Sequence, residues 1–269
     1  MICFPNAKIN IGLNVIERRT DGYHNIETVF YPIPLCDALE IIPSKTGQTT
    51  LRQTGIPIDG NHCDNLVMKA HKLLDNDFNL PPMSIFLHKR IPSGAGLGGG
   101  SSDAAFMIKL VNDFAGLGLS ENAMEDYAAR LGADCPFFIH NKPMLAKGTG
   151  NVFSPIDLPL NNCDVVLVMP QAYVSTKNAY SLITPHKPEY TTGDVIRLPI
   201  AEWKKLLVND FEKPVFNFAP QIEQAKKELY DAGALYAAMS GSGAAVFGIF
   251  EKDNHLPTAK STTIGRWSL

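Results

Sequence analysis

The sequence has little that would support a disulfide framework or a metal centre built from cysteine and histidine. Its 269 residues include 5 cysteines and 7 histidines, and the cysteines are scattered at positions 3, 36, 63, 135 and 163. Neither a C-x-x-C pair nor an H-E-x-x-H motif occurs. An odd number of dispersed cysteines argues against structural disulfides and zinc ribbons, and it favours a reducing compartment.

Long apolar runs and an excess of positive charge are also lacking. Every apolar run is shorter than the roughly 18 residues that a membrane-spanning helix requires, and the first residues, M-I-C-F-P-N-A-K, do not resemble a secretory signal. The formal net charge is -3. These absences exclude a membrane helix and give no reason to expect nucleic acid as a partner. We therefore expect a cytoplasmic protein without a nucleic-acid or membrane partner, and a local pocket for a compact anionic ligand stays possible.

Glycine, by contrast, is concentrated in one stretch. Residues 92–103 read P-S-G-A-G-L-G-G-G-S-S-D, and five of these twelve residues are glycine. The stretch lies between a predicted strand at 83–87 and a predicted helix at 104–115. A glycine loop before a helix presents backbone N–H groups and the positive end of the helix dipole, and both attract phosphate. The pattern therefore predicts a phosphate-binding loop rather than a flexible linker or a simple turn.

Two common phosphate-binding motifs do not match this loop. A P-loop requires lysine directly after its last glycine, and no lysine follows these glycines. A dinucleotide-binding fingerprint is formally present at Gly94, Gly96 and Gly99, but it needs an acidic residue at the end of a following strand about 20 residues on. That distance holds only a loop at 116–119 and another predicted helix. A kinase with a different kind of glycine loop remains.

Two polar positions elsewhere are suited to phosphoryl transfer. In the predicted strand at 7–16, Lys8 and Asn10 share one face, about 6–7 Å apart along the strand. That face is either exposed to solvent or functional. Asp134 is predicted at or near the N-cap of a short helix at 137–140, where it either only caps the helix or also acts as a base. A kinase of this kind needs a cation and a carboxylate, which Lys8 and Asp134 can supply.

The rest of the chain predicts a mixture of strands and helices. Further strands are expected at 26–33, 37–43, 49–53, 144–152 and 164–169, and helices at 65–74 (capped by Asp64), 120–131 (capped by Ser120), 175–183, 201–207 and 220–232. Strands at 235–239 and 244–250 flank residues 240–243, which form either a plain hairpin turn or a second phosphate-facing surface. A stretch rich in Pro, Leu and Asn at 154–162 is the predicted domain boundary. No motif is evident after residue 251.

Several segments together resemble the GHMP kinases, the superfamily of galactokinase, homoserine kinase and mevalonate kinase. The glycine stretch resembles the loop typical of that superfamily. The other segments are N-A-K-I-N-I-G-L from Asn6, D-G-Y-H-N-I-E-T from Asp21, L-G-A-D-C-P-F-F from Leu131 and M-S-G-S-G-A-A-V-F from Met239. They resemble the branch that uses ATP to phosphorylate the 2-hydroxyl of 4-diphosphocytidyl-2-C-methyl-D-erythritol, in the non-mevalonate route to isoprenoid precursors.

The resemblance implies an α+β, two-domain GHMP kinase fold. An N-terminal α/β domain at residues 1–155 would bind ATP, and a C-terminal ferredoxin-like α/β domain would occupy residues 156–269. ATP is the implied co-substrate, with Mg²⁺, and the acceptor is a small molecule linked to cytidine diphosphate. No acidic cluster marks the ligands of the Mg²⁺ ion, and Ser102 is offered as one ligand.

The resemblance also implies roles for single residues. Asp134 would be the catalytic base, Lys8 its cationic partner on the attacking hydroxyl, and Asn10 a residue that lines the same site. The ATP phosphates would lie on Pro92, Ser93, Gly94, Ala95, Gly96, Leu97, Gly98, Gly99, Gly100, Ser101 and Ser102. Gly241, Ser242 and Gly243 would lie beside that loop.

A separate group of residues would bind the cytosine ring. Tyr23 and His24 match family positions that hold the ring by stacking and hydrogen bonding, and Tyr180 would cover its other face. Two alternatives stay open. Another GHMP kinase acting on a sugar, homoserine or a mevalonate-like alcohol would leave Tyr23 and His24 without a base to hold. A non-catalytic nucleotide-binding protein would have no use for both Lys8 and Asp134.

Overall fold

The computed structural model describes residues 1–57, 64–252 and 263–269. The strands are β1 Ile2–Cys3, β2 Asn6–Arg18, β3 His24–Cys36, β4 Ala38–Pro43, β5 Thr50–Gly55, β6 Met83–Lys89, β7 Met144–Lys147, β8 Val152–Pro155, β9 Cys163–Val168, β10 Tyr236–Met239, β11 Val246–Glu251 and β12 Thr263–Ser268. The helices are α1 Leu66–Phe78, α2 Gly99–Ala115, α3 Glu121–Ala129, α4 Cys135–His140, α5 Thr176–Ser181, α6 Thr192–Val195, α7 Ile200–Leu206, α8 Glu212–Phe218 and α9 Pro220–Asp231. Within those described ranges, no helix has the length and apolar character needed to span a membrane.

The chain folds into two compact units, each built from segments that are not contiguous in sequence. The first unit consists of Met1–Ala7, Pro34–Ser93 and Gly98–Lys142, and the second of Lys8–Ile33, Gly94–Leu97 and Pro143–Leu269. The glycine stretch is thus shared, because its middle residues belong to the second unit. The predicted domains are two continuous segments that meet between residues 155 and 156, and this boundary stays a prediction.

The first unit is organised on a four-stranded sheet with strand order β1-β4-β6-β5. Its strand β6 forms because apolar residues alternate: Met83, Ile85 and Leu87 are buried, whereas His88 is exposed. β6 pairs with β4 in antiparallel orientation and with β5 in parallel orientation. The strands predicted at 37–43, 49–53 and 83–87 are therefore present, with small differences at their ends.

The helix caps of this unit were predicted with mixed success. α3 follows Ser120, whose Oγ accepts a hydrogen bond from the Ala123 N–H at 3.2 Å, so the predicted cap is confirmed. The predicted cap of α1 was wrong by one position. Asn65, not Asp64, is the N-cap, and its Oδ1 accepts from the Val67 N–H at 2.9 Å. Because Asn and Asp are equally good N-caps, the sequence could not rank these two neighbours.

The second unit contains two four-stranded sheets, with orders β2-β3-β7-β8 and β10-β11-β9-β12. β9 is buried at every residue and lies between β11 and β12, antiparallel to both. β10 and β11 form the predicted hairpin, in which Met239 lies opposite Val246. β12 was not predicted, since its residues are exposed or only partly buried and it is defined by its pairing with β9.

The single strand predicted at 144–152 is in fact the hairpin of β7 and β8. Gly148 and Gly150 lie between them with φ values of +66° and +94°. A continuous strand cannot contain such left-handed backbone, so the chain turns there. Helices α6 and α8, of 4 and 7 residues, were also missed.

Candidate active site

The part of the glycine stretch in the first unit forms the start of α2. The helix begins at Gly99, five residues earlier than predicted, and Gly98 is its N-cap with a left-handed φ of +70°. The Ser102 N–H donates to the Gly98 carbonyl at 2.9 Å, which closes the first turn. A helix of 17 residues thus starts inside the glycine run, and its unpaired N–H groups and dipole favour an anion at this end.

The middle of the stretch, Gly94–Leu97, is held within the second unit. The Ser240 Oγ–H donates to the Gly96 carbonyl at 2.9 Å, and the Ala245 N–H donates to the Ala95 carbonyl at 3.2 Å. A β-carbon on Gly96 would lie 1.9 Å from the carbonyl oxygen of Ser240. Only glycine fits there, because its φ of +76° is also left-handed.

The turn between β10 and β11 therefore lies directly against the glycine stretch. The Gly96 Cα is 3.3 Å from the position that a β-carbon on Gly241 would take. Ser242 lies in the same turn, and its Oγ is 3.0 Å from the Thr176 Oγ1. Of the two interpretations of residues 240–243, the structure bears out the hairpin, and the turn also supports the backbone of the glycine stretch.

Lys8 and Asn10 lie on a buried face of β2, so the solvent-exposed alternative was wrong. Their exposed fractions are 4% and 2%. The Lys8 Nζ donates to the Asn10 Oδ1 at 2.5 Å and lies 4.7 Å from the centre of the Phe30 ring. The Asn10 Nδ2 donates to the Thr28 Oγ1 at 3.1 Å, and the Thr28 hydroxyl donates to the Gly12 carbonyl. A buried ammonium oriented by a side-chain amide is suited to an anionic or polar ligand.

Asp134 is the N-cap residue of α4, as predicted, yet its side chain makes no capping hydrogen bond. Capping alone therefore does not account for an aspartate at this position. The residue is half-buried, and Cys135 beside it is fully buried. Burial raises the pKa of the Cys135 thiol to about 11, although a hydrogen bond with Ser101 opposes the shift. That thiol is thus protonated at neutral pH and is no competing nucleophile.

Two of the three residues predicted to bind cytosine, His24 and Tyr180, are in contact with each other. His24 and Tyr180 are stacked, with ring centroids 4.9 Å apart and an angle of 22° between the rings. Tyr180 also packs edge-on against Phe211 at 4.8 Å. Tyr23 is 67% exposed. Burial, and to a lesser degree Arg18, lowers the pKa of His24, which favours a neutral imidazole that can both donate and accept a hydrogen bond.

A buried ion cluster lies beneath the first turn of α2 and was not predicted. Lys89 is 2% exposed, and its Nζ contacts the Asp37 Oδ2 and, at 2.6 Å, the Asp103 Oδ2. The Asp37 Oδ1 accepts hydrogen bonds from the N–H groups of Arg90 and Ile91. Burial raises the pKa of Asp103 to about 7, opposed by Lys89 and reinforced by Asp37. The pKa of Asp103 stays raised because one lysine cannot neutralise two buried carboxylates.

Sequence reasoning also missed two neutral residues, Thr28 and Ser240. Thr28 lies on the strand next to Lys8 and Asn10, and Ser240 precedes the glycines of the predicted turn. Both hydrogen-bond Asn10, through its Nδ2 and its backbone N–H respectively. The only signal in the sequence was that Ser240 is the first residue of the predicted turn at 240–243, although no role was assigned to it. No cluster of three or more His, Cys, Asp or Glu side chains that could hold a metal ion is found within the described portion of the chain.

Comparison with known proteins identifies similar domains and relatives. The model of the GHMP kinases N terminal domain matches residues 65–142, and that of the GHMP kinases C terminal matches residues 195–261. The chain is 58% identical to the 4-diphosphocytidyl-2-C-methyl-D-erythritol kinase of Parabacteroides distasonis, over 95% of this chain and 93% of that protein. It is 57% identical to the Bacteroides fragilis protein of the same name, over 95% and 94% of the two chains. A crystal structure of 4-(cytidine 5'-diphospho)-2C-methyl-D-erythritol kinase, 31% identical, superposes with a TM-score of 0.80 and covers 94% of this chain and 91% of that one.

Proposed function

Because the chain belongs to the GHMP kinase family and has 4-diphosphocytidyl-2-C-methyl-D-erythritol kinases as relatives, we propose that it catalyses the reaction named for them. It is an ATP-dependent small-molecule kinase that phosphorylates the 2-hydroxyl of 4-diphosphocytidyl-2-C-methyl-D-erythritol in isoprenoid precursor synthesis by the non-mevalonate route. The observation that carries this conclusion is the 58% identity over 95% of the chain. The aligned region thus covers nearly all of the chain and not only the glycine stretch.

The ATP phosphates bind along the glycine stretch in this proposal. The residues involved are Pro92, Ser93, Gly94, Ala95, Gly96, Leu97, Gly98, Gly99, Gly100, Ser101 and Ser102. Support comes from the helix that starts inside the stretch, because its first N–H groups have no helical partners and its dipole is positive at that end. The turn containing Gly241, Ser242 and Gly243 packs against Gly96, and the preceding Ser240 hydroxyl donates to the Gly96 carbonyl.

Phosphoryl transfer uses Lys8 and Asp134. Asp134 accepts the proton of the attacking hydroxyl as the new phosphorus–oxygen bond forms, and Lys8 stabilises the negative charge that develops there. The buried Lys8–Asn10 hydrogen bond supports this role, because it orients the ammonium group before any substrate arrives. An N-cap aspartate that makes no capping bond supports the role of Asp134.

The assignment of Asp134 is tested by Asp134→Asn, which keeps the shape of the side chain but removes the base. We expect kcat to fall at least about 100-fold, or about 2.7 kcal/mol in barrier, as is typical for loss of a general base. The matched control is Asp126→Asn, a change at an exposed position of α3. If Asp134→Asn retained kcat within about tenfold of the wild type, Asp134 would not be the base.

The cytosine ring binds at Tyr23, His24 and Tyr180 in this proposal. Stacked carbon atoms lie about 3.5–4.0 Å apart, so a ring held between two others separates them by about 7–8 Å. The His24–Tyr180 distance of 4.9 Å leaves no space for a ring between these two. We therefore expect Tyr180 to turn away from His24 when the substrate binds, and His24 to hydrogen-bond the edge of the base.

Mg²⁺ accompanies ATP in this proposal, and Ser102 is its proposed protein ligand. The Ser102 Oγ is buried and has no hydrogen-bond partner within the described part of the chain, so its lone pairs are available to a cation. Because Mg²⁺ retains several waters and binds largely through substrate phosphates, a single hydroxyl from the protein is chemically sufficient. The ion would neutralise charge on the phosphates.

The cytoplasm is the proposed compartment. Cys3, Cys36, Cys135 and Cys163 are free cysteines, which is the form that a reducing environment maintains. Cys63 lies outside the described residues. Apart from ATP and the cytidine-diphosphate-linked methylerythritol, the proposal includes no nucleic acid or membrane partner.

A substrate panel tests the function directly. The purified protein is incubated with ATP and, in parallel, with 4-diphosphocytidyl-2-C-methyl-D-erythritol, galactose, homoserine or mevalonate, and ADP release is measured. We expect the kcat/KM for the cytidyl substrate to be at least about 100-fold above that for each of the other three. Faster turnover of galactose, homoserine or mevalonate would contradict the proposed acceptor. ATP binding without turnover of any acceptor would indicate a non-catalytic nucleotide-binding protein.

A further inference from the structure

Asn209 lies in the loop between α7 and α8 and is almost completely buried, with an exposed fraction of 3%. Its Nδ2 donates to the carbonyl of Met239 at 2.7 Å and to the carbonyl of Gly241 at 2.8 Å. Its Oδ1 accepts from the Phe211 N–H at 3.0 Å. Both amide hydrogens are therefore used on one turn of the chain, while the oxygen fixes the plane of the amide.

The two carbonyls that Asn209 binds flank Ser240 on both sides. Ser240 has an exposed fraction of 0% and connects two parts of the proposed site. Its Oγ–H donates to the Gly96 carbonyl at 2.9 Å, and its Oγ accepts from the Asn10 N–H at 3.2 Å. Asn209 thus holds the residue before and the residue after the serine that contacts the glycine stretch.

The backbone on either side of Asn209 is itself fixed to β2. The Val208 carbonyl accepts from the Leu13 N–H at 2.8 Å, and the Asp210 N–H donates to the Leu13 carbonyl at 2.9 Å. Asn209 is therefore anchored to the strand that carries Asn10, and it reaches from that strand to the turn. All of these contacts lie within the second unit.

We propose that Asn209 is a positioning residue for the nucleotide site: it holds the turn around Ser240 so that Gly94–Leu97 keeps the backbone path that receives the ATP phosphates. The inference rests on the proposed function of the glycine stretch. Asparagine suits this role because its planar amide supplies two donors at a fixed angle. Aspartate has the same shape without either donor, and serine has only one.

The experiment measures ADP affinity by calorimetry, together with kcat and the KM for ATP, in Asn209→Asp and Asn209→Leu. We expect each variant to bind ADP about tenfold more weakly and to raise the KM for ATP by a similar factor. Asn209→Leu carries no charge, so it separates loss of the donors from repulsion between a carboxylate and the phosphates. Thermal unfolding checks that the variants are folded. If neither variant folds, Asn209→Ser, which keeps one donor, is expected to weaken ADP binding by a smaller factor of about three.

The matched control is Thr192→Val. The Thr192 Oγ1 donates to the Asn14 Oδ1 at 2.8 Å, a buried bond to the same strand that does not touch the turn. We expect ADP affinity within about twofold of the wild type. If Thr192→Val weakened ADP binding as much as the Asn209 variants, general loosening of β2 would explain the result and the proposal would be wrong.

A double-mutant cycle tests whether Asn209 acts through Ser240. If it does, Asn209→Leu combined with Ser240→Ala should weaken ADP binding no more than the worse single variant, whereas independent effects would multiply. Multiplying effects would overturn the proposal, as would variants that bind ADP within about twofold of the wild type. Failure of the wild-type protein to bind ADP at all would instead contradict the proposed function.

Discussion

Lys89 in the first unit and Asn209 in the second are both almost completely buried polar side chains. Lys89 contacts Asp103 at the end of the glycine stretch, and Asn209 binds the turn that lies against Gly96. Asn209 is neutral, and its three hydrogen bonds satisfy the amide. Lys89 is charged and lies between two carboxylates, and the Asp103 Oδ1 has no hydrogen-bond partner in the part of the chain that the structure describes. The neutral amide is therefore fully hydrogen-bonded, whereas the ion cluster holds one lysine against two carboxyl groups.

This difference has a physical consequence. Loss of one neutral hydrogen bond costs about 0.5–1.5 kcal/mol, but removal of one partner from a buried ion pair costs about 3–5 kcal/mol because a charge is left unpaired. Buried charge also makes stability depend on pH, which neutral amides and hydroxyls do not. We therefore expect the part of the stretch in the first unit to be more sensitive both to mutation and to pH.

The largest effect is expected for Lys89→Met, which leaves the carboxylates of Asp37 and Asp103 buried without their cation. The free energy of unfolding, measured by urea denaturation at pH 7, should fall by about 3–5 kcal/mol. Adding Asp103→Asn to this variant should recover part of the loss, because one unpaired charge is then removed. The control Lys69→Met changes an exposed lysine and should cost less than about 1 kcal/mol. A similar small loss for Lys89→Met would show that the cluster does not stabilise the fold.

The next largest effect is expected for Gly96→Ala, with Gly100→Ala as its matched control in the same stretch. The added methyl of Gly96→Ala meets the Ser240 carbonyl oxygen at 1.9 Å, and the left-handed backbone alone costs an alanine about 1–2 kcal/mol. We expect a loss of at least about 2 kcal/mol in stability and much weaker ATP binding. Gly100→Ala lies within α2, where its methyl would contact only Leu66 at 3.6 Å. It should be neutral or stabilising by up to about 1 kcal/mol. Equal losses would contradict the close contact at Gly96.

Asp103 should make stability depend on pH. Its pKa of about 7 in the folded protein lies above the ordinary 3.8, so between these values the folded chain holds a proton that the unfolded chain has lost. Asp103 therefore destabilises the fold increasingly as pH rises from about 4 to about 7, by up to about 1.4 kcal/mol per pH unit. Unfolding of the wild type and Asp103→Asn should be compared from pH 4.5 to 7.5. The stability of the variant relative to the wild type should rise with pH, and a constant difference would refute the shift.

The smallest effect is expected for Thr28→Val, which changes a neutral buried side chain that hydrogen-bonds Asn10. The variant loses the acceptor for the Asn10 Nδ2 and the donor to the Gly12 carbonyl, at a cost of about 1–2 kcal/mol. That cost should be the same at pH 5 and pH 8, unlike the cost of changes at Asp103. Thr54→Val, which removes an exposed contact with His88, should change stability by less than about 0.5 kcal/mol. A pH-dependent cost at Thr28 would contradict the expected contrast between a hydroxyl hydrogen bond and the Lys89 ion cluster.

Local patterns in the sequence predicted much of the fold and part of the site. The alternation of β2, the Ser120 cap and the position of Asp134 before α4 depend on residues within a few positions of each other. The turn inside the strand predicted at 144–152 was missed because that prediction did not treat Gly148 and Gly150 as turn residues. The contacts of Lys89 with Asp37 and of Asn209 with Met239 join residues 52 and 30 positions apart, and no local pattern indicates them.

By itself the sequence determined the glycine stretch, its resemblance to the GHMP kinases, and the residue types available for phosphoryl transfer. These follow from local chemistry, because only glycine permits the backbone path and only a helix start offers unpaired N–H groups. The tertiary structure decided that Lys8 and Asn10 are buried rather than exposed, that Asp134 does not cap with its side chain, and that His24 and Tyr180 are stacked on each other. Burial and partners depend on which distant segments pack together, so one chain segment read alone cannot specify them.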